Sequence, residues 1–192
     1  MMDLYTALRT LAAHRTDELV IVPFTGSIVW EELSPRPELD LPYWGSMGKA
    51  ASTGLGVALA LPQLKVWVLD GDGSLLMNLG CLVTTANLAP PNLYHFVLEN
   101  GVYQTTGGQP IPGRGRVDFA GLARAAGFPH VYTFEELATF EREIGAVLAA
   151  PGPTFITLRV TAPPLPRRLP RRRTKDALPE VWAALAQRAR QA

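Results

Sequence analysis

Residues 65–80 read KVWVLDGDGSLLMNLG. The run is apolar as far as Leu69, turns abruptly polar at Asp70, and becomes apolar again after Ser74. A short β-rich run followed at once by helix-forming residues predicts a buried strand over 65–70 leading into a helix over 75–89. At the corner between them a carboxylate, Asp72, stands between two glycines.

The same alternation extends in both directions. Leu4, Tyr5, Leu8, Leu11 and Ala12 recur at helical spacing and predict an opening amphipathic helix. ELVIVPF (18–24) reads as a strand closed by proline. Residues 25–48 read as irregular and rich in Gly and Pro, apart from a helical turn at 27–33. SMGKAASTGLGVALALP predicts a helix over about 47–60, ended by Pro62, whose glycines let another backbone approach closely. NLYHFVLEN (92–100) and TFITLRV (154–160) are further strands. Asp118 caps a helix that stops at Gly127, and Thr133 with Glu136 forms a capping box for a helix over 134–149.

Strands alternating with helices imply an α/β fold: a three-layer parallel sheet with helices on both faces. This domain is expected over residues 1–162. After it, APPLPRRLPRRRTKD reads as an extended Pro/Arg linker, and ALPEVWAALAQRARQ as a short terminal helix, so that 163–192 form an appendage. The arginines at 167, 168 and 171–173 are expected to be a solvated tail, with contact to a partner as the alternative.

Composition narrows the function. A chain of 192 residues with 47% hydrophobic and 18% charged residues has enough apolar sequence for a substantial core. A net charge of +1 gives no reason to expect nucleic acid or an anionic membrane as partner. Cys81 is the only cysteine, so cysteine-ligated zinc and iron–sulfur centres are excluded, and core packing is expected for it. His95, inside a strand pattern, is expected to be a buried or edge histidine. MMDLYTALRTLAAHR lacks the apolar centre of a signal peptide, and a cytoplasmic chain is expected.

Beyond the ends of parallel strands lies the usual ligand site of such sheets. LDGDGS fails three phosphate or metal patterns tested there. No third glycine completes a dinucleotide fingerprint, and no Gly-Lys-Ser/Thr makes a P-loop. An EF-hand loop starting at Asp70 needs glycine at its sixth position and glutamate at its twelfth, where Leu75 and Cys81 stand. A fourth pattern fits. The next strand ends at Glu99-Asn100, with 26 residues between Gly73 and Asn100, so adjacent strands would bring Asp72 and Asn100 together. A carboxylate and an amide oxygen suit Mg²⁺ or Ca²⁺ completed by water and phosphate oxygens.

In these residues the chain resembles the thiamine-diphosphate enzymes, whose signature is GDG, some two dozen or more residues, then Asn. The resemblance spans roughly residues 15–160. It implies Mg²⁺ held by Asp72, Asn100 and the main-chain oxygen of Val102, with Gly73 and Ser74 at the diphosphate and Gly71 and Tyr103 as further cofactor-binding residues. It also implies a bulky residue about 25 positions before the metal carboxylate that wedges the cofactor into a bent form. Met47 stands there, in the stretch Gly45-Ser46-Met47, and the Gly45 carbonyl would accept from the aminopyrimidine.

Family members activate the cofactor with a glutamate from a second, pyrimidine-binding domain, and single-chain members are more than twice this length. Glu31 and Glu32 fall inside the diphosphate-binding domain and are not assigned that role. A partner α subunit is therefore expected to supply the glutamate in a heteromer. Among two-subunit members, DGDGSLLMNLG and TTGGQ look like the β subunit of sulfopyruvate decarboxylase and the matching half of phosphonopyruvate decarboxylase. The implied activity is a carbon–carbon lyase that turns a 2-oxo acid into CO₂ and an aldehyde. Thr105 and Thr106 would contact the substrate's distal anion, or else belong to a loop that merely covers the cofactor. A split carboligase of the acetolactate-synthase kind and a non-catalytic subunit keeping the fold remain the alternatives.

Overall fold

The computed structural model describes residues 1–162, 164 and 172–190. Six parallel strands form the central sheet: β1 (Leu19–Pro23), β2 (Asp40–Tyr43), β3 (Val66–Gly71), β4 (Leu93–Glu99), β7 (His130–Phe134) and β8 (Thr154–Arg159). Their order is β2-β1-β3-β4-β8-β7. A two-residue hairpin, β5 (Val102–Tyr103) with β6 (Gln109–Pro110), stands apart from the sheet. The expected three-layer α/β fold is the one observed.

The period of two along each strand sorts the core into its layers. Val20 and Val22 of β1, Leu69 of β3 and Phe96 of β4 face one side. They pack there against α1 (Leu4–Ala13), α2 (Phe24–Leu33) and α7 (Leu137–Ala149), with Leu8, Trp30 and Phe140 among the contacts. Leu19, Ile21, Val66 and Val68 face the other side, against α3 (Ala50–Ala60) and α8 (Thr174–Ala189). Further along that side, Val97 and Phe155 meet α4 (Asp72–Leu76), α5 (Gly80–Leu88) and α6 (Phe119–Ala126). Strands buried on both faces carry near-continuous apolar runs, which is why 66–69 and 93–98 read so clearly in the sequence.

Glycine matters in α3 at one position. A Cβ on Gly54 would lie 2.3 Å from Val68 Cγ2, so the helix can rest on β3 only without a side chain there. The neighbour is a side chain of the sheet, where another backbone was expected. Asp118 caps α6 by accepting from Gly121 N at 2.8 Å, and Gly127 ends it in a left-handed conformation.

Several elements differ from expectation. The stretch read as irregular holds the ten-residue α2 and edge strand β2, which contains Pro42; an edge tolerates proline because one side of it needs no ladder bond. The helix expected from 47 begins at Ala50, since Gly48 takes φ +72 in the preceding turn. The helix over 75–89 is two helices, α4 and α5, with residues 77–79 between them. Thr133 lies in β7, the strand at the opposite edge, so it caps nothing; α7 starts at Leu137 without a side-chain cap. The terminal helix starts at Thr174 and packs on the domain through Ala177, Val181 and Leu185. Arg167, Arg168 and Arg171, and most of the expected linker, lie outside the described residues. Arg172, expected to be solvated, pairs with Glu180 and donates to the Pro37 carbonyl, both at 2.6 Å. Among the described residues no helix is long and apolar enough to cross a membrane.

Candidate functional site

The chain passes outward from β1 to β2 and returns to place β3 on the other side of β1. This reversal makes a crevice beyond the carboxyl ends of β1 and β3, the place where open parallel sheets take their ligands. A cleft of about 510 Å³, partly open to solvent, occupies it. Its walls come from three strand ends: Phe24, Thr25 and Gly26 after β1; Gly71, Asp72, Gly73 and Ser74 after β3; Asn100, Val102, Tyr103, Gln104 and Thr105 after β4. Met47 closes a fourth side.

Parallel pairing of β3 with β4, in the register Gly71↔Leu98, ends the two strands level. Asp72 and Asn100 are thereby brought to one edge of the cleft, as their spacing predicts. Asp72 is only 2% exposed and has no ion-pair partner among the described residues. Its two oxygens accept from Gly73 N at 2.7 Å and Gly101 N at 2.6 Å. Asn100 Oδ1 accepts from Val102 N at 2.9 Å. Burial pushes the Asp72 carboxyl up to about 6, and the N–H groups of Gly101 and Gly73 restrain that rise. A buried carboxylate held only by neutral donors is a site that a cation would relieve.

Close packing shapes the corner. A Cβ on Gly73 would stand 2.4 Å from the Tyr103 ring, so this glycine is what allows the tyrosine to lie against the turn. Ser74 Oγ accepts from Gly48 N at 3.0 Å, and Asn78 Nδ2 donates to the Gly48 carbonyl at 2.9 Å. Both contacts tie the loop carrying Met47 to the Asp72 corner. Gly45, at φ +88, and Ser46 belong to that loop but not to the cleft wall. Thr106 is likewise absent from the wall; its hydroxyl is 3.3 Å from the Tyr103 carbonyl and 3.1 Å from Gln109 Oε1.

The residues after β1 carried no signal in the sequence. Phe24 sits at φ +47, a costly conformation for a residue with a side chain, where the chain leaves β1 for α2. Thr25 is 8% exposed, and its hydroxyl has no hydrogen-bond partner among the described residues. Native structures seldom leave such a group orphaned, and Thr25 is a residue of the cleft wall. His95 and Cys81 stay out of the cleft. His95 lies in the central strand β4, 2% exposed and 3.7 Å from Asp70, with its ring edge-on to Phe155. Burial pushes the Cys81 thiol up to about 12, which leaves it unreactive.

No group of three or more His, Cys, Asp or Glu side chains occurs among the described residues. A metal here would rest on one carboxylate, neutral oxygens and the oxygens of a ligand, which is the chemistry of Mg²⁺ with a diphosphate. The lone carboxylate, the adjacent amide and the orphaned Thr25 hydroxyl fit such a pair.

A parallel sheet with a cleft at its switch point places the chain in the class of α/β domains that bind a ligand at the strand ends. Residues 27–158 match the thiamine pyrophosphate enzyme family, C-terminal TPP binding domain, and the chain belongs to that family. It is 38% identical to phosphonopyruvate decarboxylase of Streptomyces hygroscopicus over 190 residues, covering 94% of this chain and 47% of that protein. It is 46% identical to sulfopyruvate decarboxylase subunit beta of Methanothermobacter thermautotrophicus over 158 residues, covering 81% of this chain and 80% of that one. The chain thus spans about half the length of the first relative and most of the second. The fold is shared with the thiamine diphosphate-dependent 4-hydroxybenzoylformate decarboxylase of Rhodococcus jostii, at TM-score 0.67 and 24% identity over 84% of this chain and 33% of that one. The resemblance read from DGDGS and TTGGQ is borne out, and with it thiamine diphosphate as the family's cofactor.

Proposed function

We propose that this chain is the diphosphate-binding part of a thiamine-diphosphate-dependent decarboxylase, acting in the cytoplasm on a 2-oxo acid with a distal sulfonate or phosphonate. Support for the reaction comes from the relatives, which are named as decarboxylases of phosphonopyruvate and sulfopyruvate. The observation that carries the assignment to this chain is the meeting of buried Asp72 with Asn100 in one cleft.

In this reading Asp72, Asn100 and the Val102 carbonyl hold Mg²⁺. Gly71, Gly73, Ser74 and Tyr103 surround the diphosphate, and Thr25 donates its otherwise unused hydroxyl to it. Met47 presses on the cofactor from the opposite wall, beside Gly45 and Ser46. When bound, thiamine diphosphate supplies the electron sink that accepts the bonding pair released as CO₂ departs. The chain's own residues hold the diphosphate end, exclude water along the Phe24–Gly26 wall, and present Thr105 toward the substrate. Thr106 supports that turn from within its loop.

No glutamate is among the residues lining the cleft. In this reading the carboxylate that activates the aminopyrimidine ring is supplied by a pyrimidine-binding chain, in a heteromer whose interface contains the cofactor. Several relatives are named as beta subunits, which supports that division. The test is CO₂ release from sulfopyruvate, phosphonopyruvate and pyruvate, by the chain with and without a pyrimidine-binding partner. Turnover of the anionic substrates is expected only with the partner. Robust turnover without it would defeat the shared-site reading, and turnover of pyruvate alone would defeat the substrate reading.

A further inference from the structure

We infer that α8, which lies beyond the family-matched residues 27–158, is a strap that positions the Met47 loop, and that Thr174 is its contact residue. The inference rests on the cofactor reading above and adds a positioning residue to it.

Strand β2 is an edge of the sheet, and among the described residues its outer side has no strand partner. At the carboxyl end of this edge, Thr174 takes the partner's place. Its hydroxyl donates to the Pro42 carbonyl at 2.8 Å and accepts from Trp44 N at 2.8 Å. One hydroxyl can do both, acting as the carbonyl and the N–H of an absent strand. The helix behind it is firmly seated. Ala177, Val181 and Leu185, spaced four residues apart, are buried against the layer that contains Leu39 and Leu41. Arg172 ties its beginning to Pro37, and Arg188 ties its end to Asp17 Oδ2 at 2.9 Å.

From Trp44 the contacts lead to the cleft in two directions. Trp44 Nε1 donates to Ser27 Oγ at 2.8 Å, and Ser27 donates to the Phe24 carbonyl at 2.7 Å. The Phe24 and Trp44 rings lie 5.3 Å apart, so the strained Phe24 at the cleft wall is braced by the residue that Thr174 holds. Along the chain, Trp44 is followed by Gly45, Ser46 and Met47, and then by Gly48, which is tied to Ser74 and Asn78. Met47 is thus suspended between two anchors. One belongs to the Asp72 corner, and the other is supplied by α8.

Thr174→Val keeps the shape of the side chain and removes both bonds, whereas Thr174→Ser keeps them. The chain, assembled with its pyrimidine-binding partner, is studied by hydrogen–deuterium exchange and by calorimetry with Mg²⁺ and thiamine diphosphate. For Thr174→Val, exchange in peptides spanning 43–48 should rise, and cofactor affinity should fall, each by roughly three- to tenfold, the scale of a lost hydrogen bond. Peptides from β3 and β4 should keep their protection, and Thr174→Ser should restore both readouts. Unchanged exchange at 43–48, or loosening spread evenly through the sheet, overturns the strap. A wild-type complex that takes up no thiamine diphosphate overturns the cofactor reading and the inference with it. Normal wild-type binding with an unchanged valine variant overturns the inference alone.

Discussion

Gly48 donates its backbone N–H to Ser74 Oγ at 3.0 Å, across 26 residues of sequence. Through this bond the loop that carries Met47 and the corner that carries Asp72 behave as one piece. Ser74 accepts this bond with its hydroxyl oxygen, and in the proposed reading its hydroxyl hydrogen is available to a phosphate oxygen. Ser74→Ala leaves the buried Gly48 N–H without a partner, at a cost of about 1–3 kcal/mol. Urea unfolding should show that loss, and calorimetry should show weaker cofactor binding. A stability equal to wild type would mean that water replaces Ser74 at no cost.

The Asp72 carboxyl gives the site a pH dependence. Its folded-state value of about 6 lies above the ordinary 3.8. The protonated form is therefore the one favoured by the metal-free fold. The stability this group contributes is full below pH 3.8 and is lost as the pH rises through 6, in total roughly 3 kcal/mol. In the proposed site Mg²⁺ would bind the ionised form and would have to displace a proton below pH 6. The rise in melting temperature caused by Mg²⁺ with thiamine diphosphate should be small at pH 5 and grow toward pH 7.5. In Asp72→Ala it should be absent at both. A rise that is the same at pH 5 and pH 7.5 in the wild type would remove Asp72 from the metal site.

Gly73→Ala puts a methyl group where the Tyr103 ring lies, 2.4 Å away. Overpacking of this kind costs about 1–3 kcal/mol. The double variant Gly73→Ala/Tyr103→Ala should recover part of the stability, measured as a coupling in a double-mutant cycle. Additive losses would show that the two residues do not meet.

A separate prediction concerns the frame that holds edge strand β2. Arg15 is buried against Asp40, which also accepts from Trp30 Nε1 at 3.0 Å. Asp40→Ala leaves a buried guanidinium without its carboxylate and should cost about 3–5 kcal/mol. Adding Arg15→Met should return much of that loss in chemical denaturation, because the unpaired charge is then gone. No recovery would show that packing, rather than charge, accounts for the cost.

Met47 is half-buried at the cleft wall and is not part of the hydrophobic core clusters. Met47→Ala should therefore lower turnover of the assembled enzyme far more than its melting temperature. Proportionate loss of both would return Met47 to an ordinary packing role.

Strands β3 and β4, their order along the chain and the Asp72–Asn100 pair were legible in the residue string. Each rests on a local pattern: an apolar run long enough to be buried on both faces, ended by residues that only a corner tolerates. Fixed spacing then carried Asn100 and Met47 to the site. Other parts have no such local signature. Strands β2 and β7 are short and lie at the sheet's edges, where one side is released from the ladder and the apolar pattern weakens. Thr133 matched a capping pattern, yet pairing with Thr157 of β8 drew it into a strand. Phe24, Thr25 and Gly26 reach the cleft because β1 lies beside β3, a pairing such as Ile21 with Val68 that spans 47 residues. Thr174 reaches Trp44 across 130 residues because α8 folds back on Leu39 and Leu41. Local sequence carries the periodicity that makes strands and helices, whereas neighbours across a sheet are chosen by which apolar faces can be buried together.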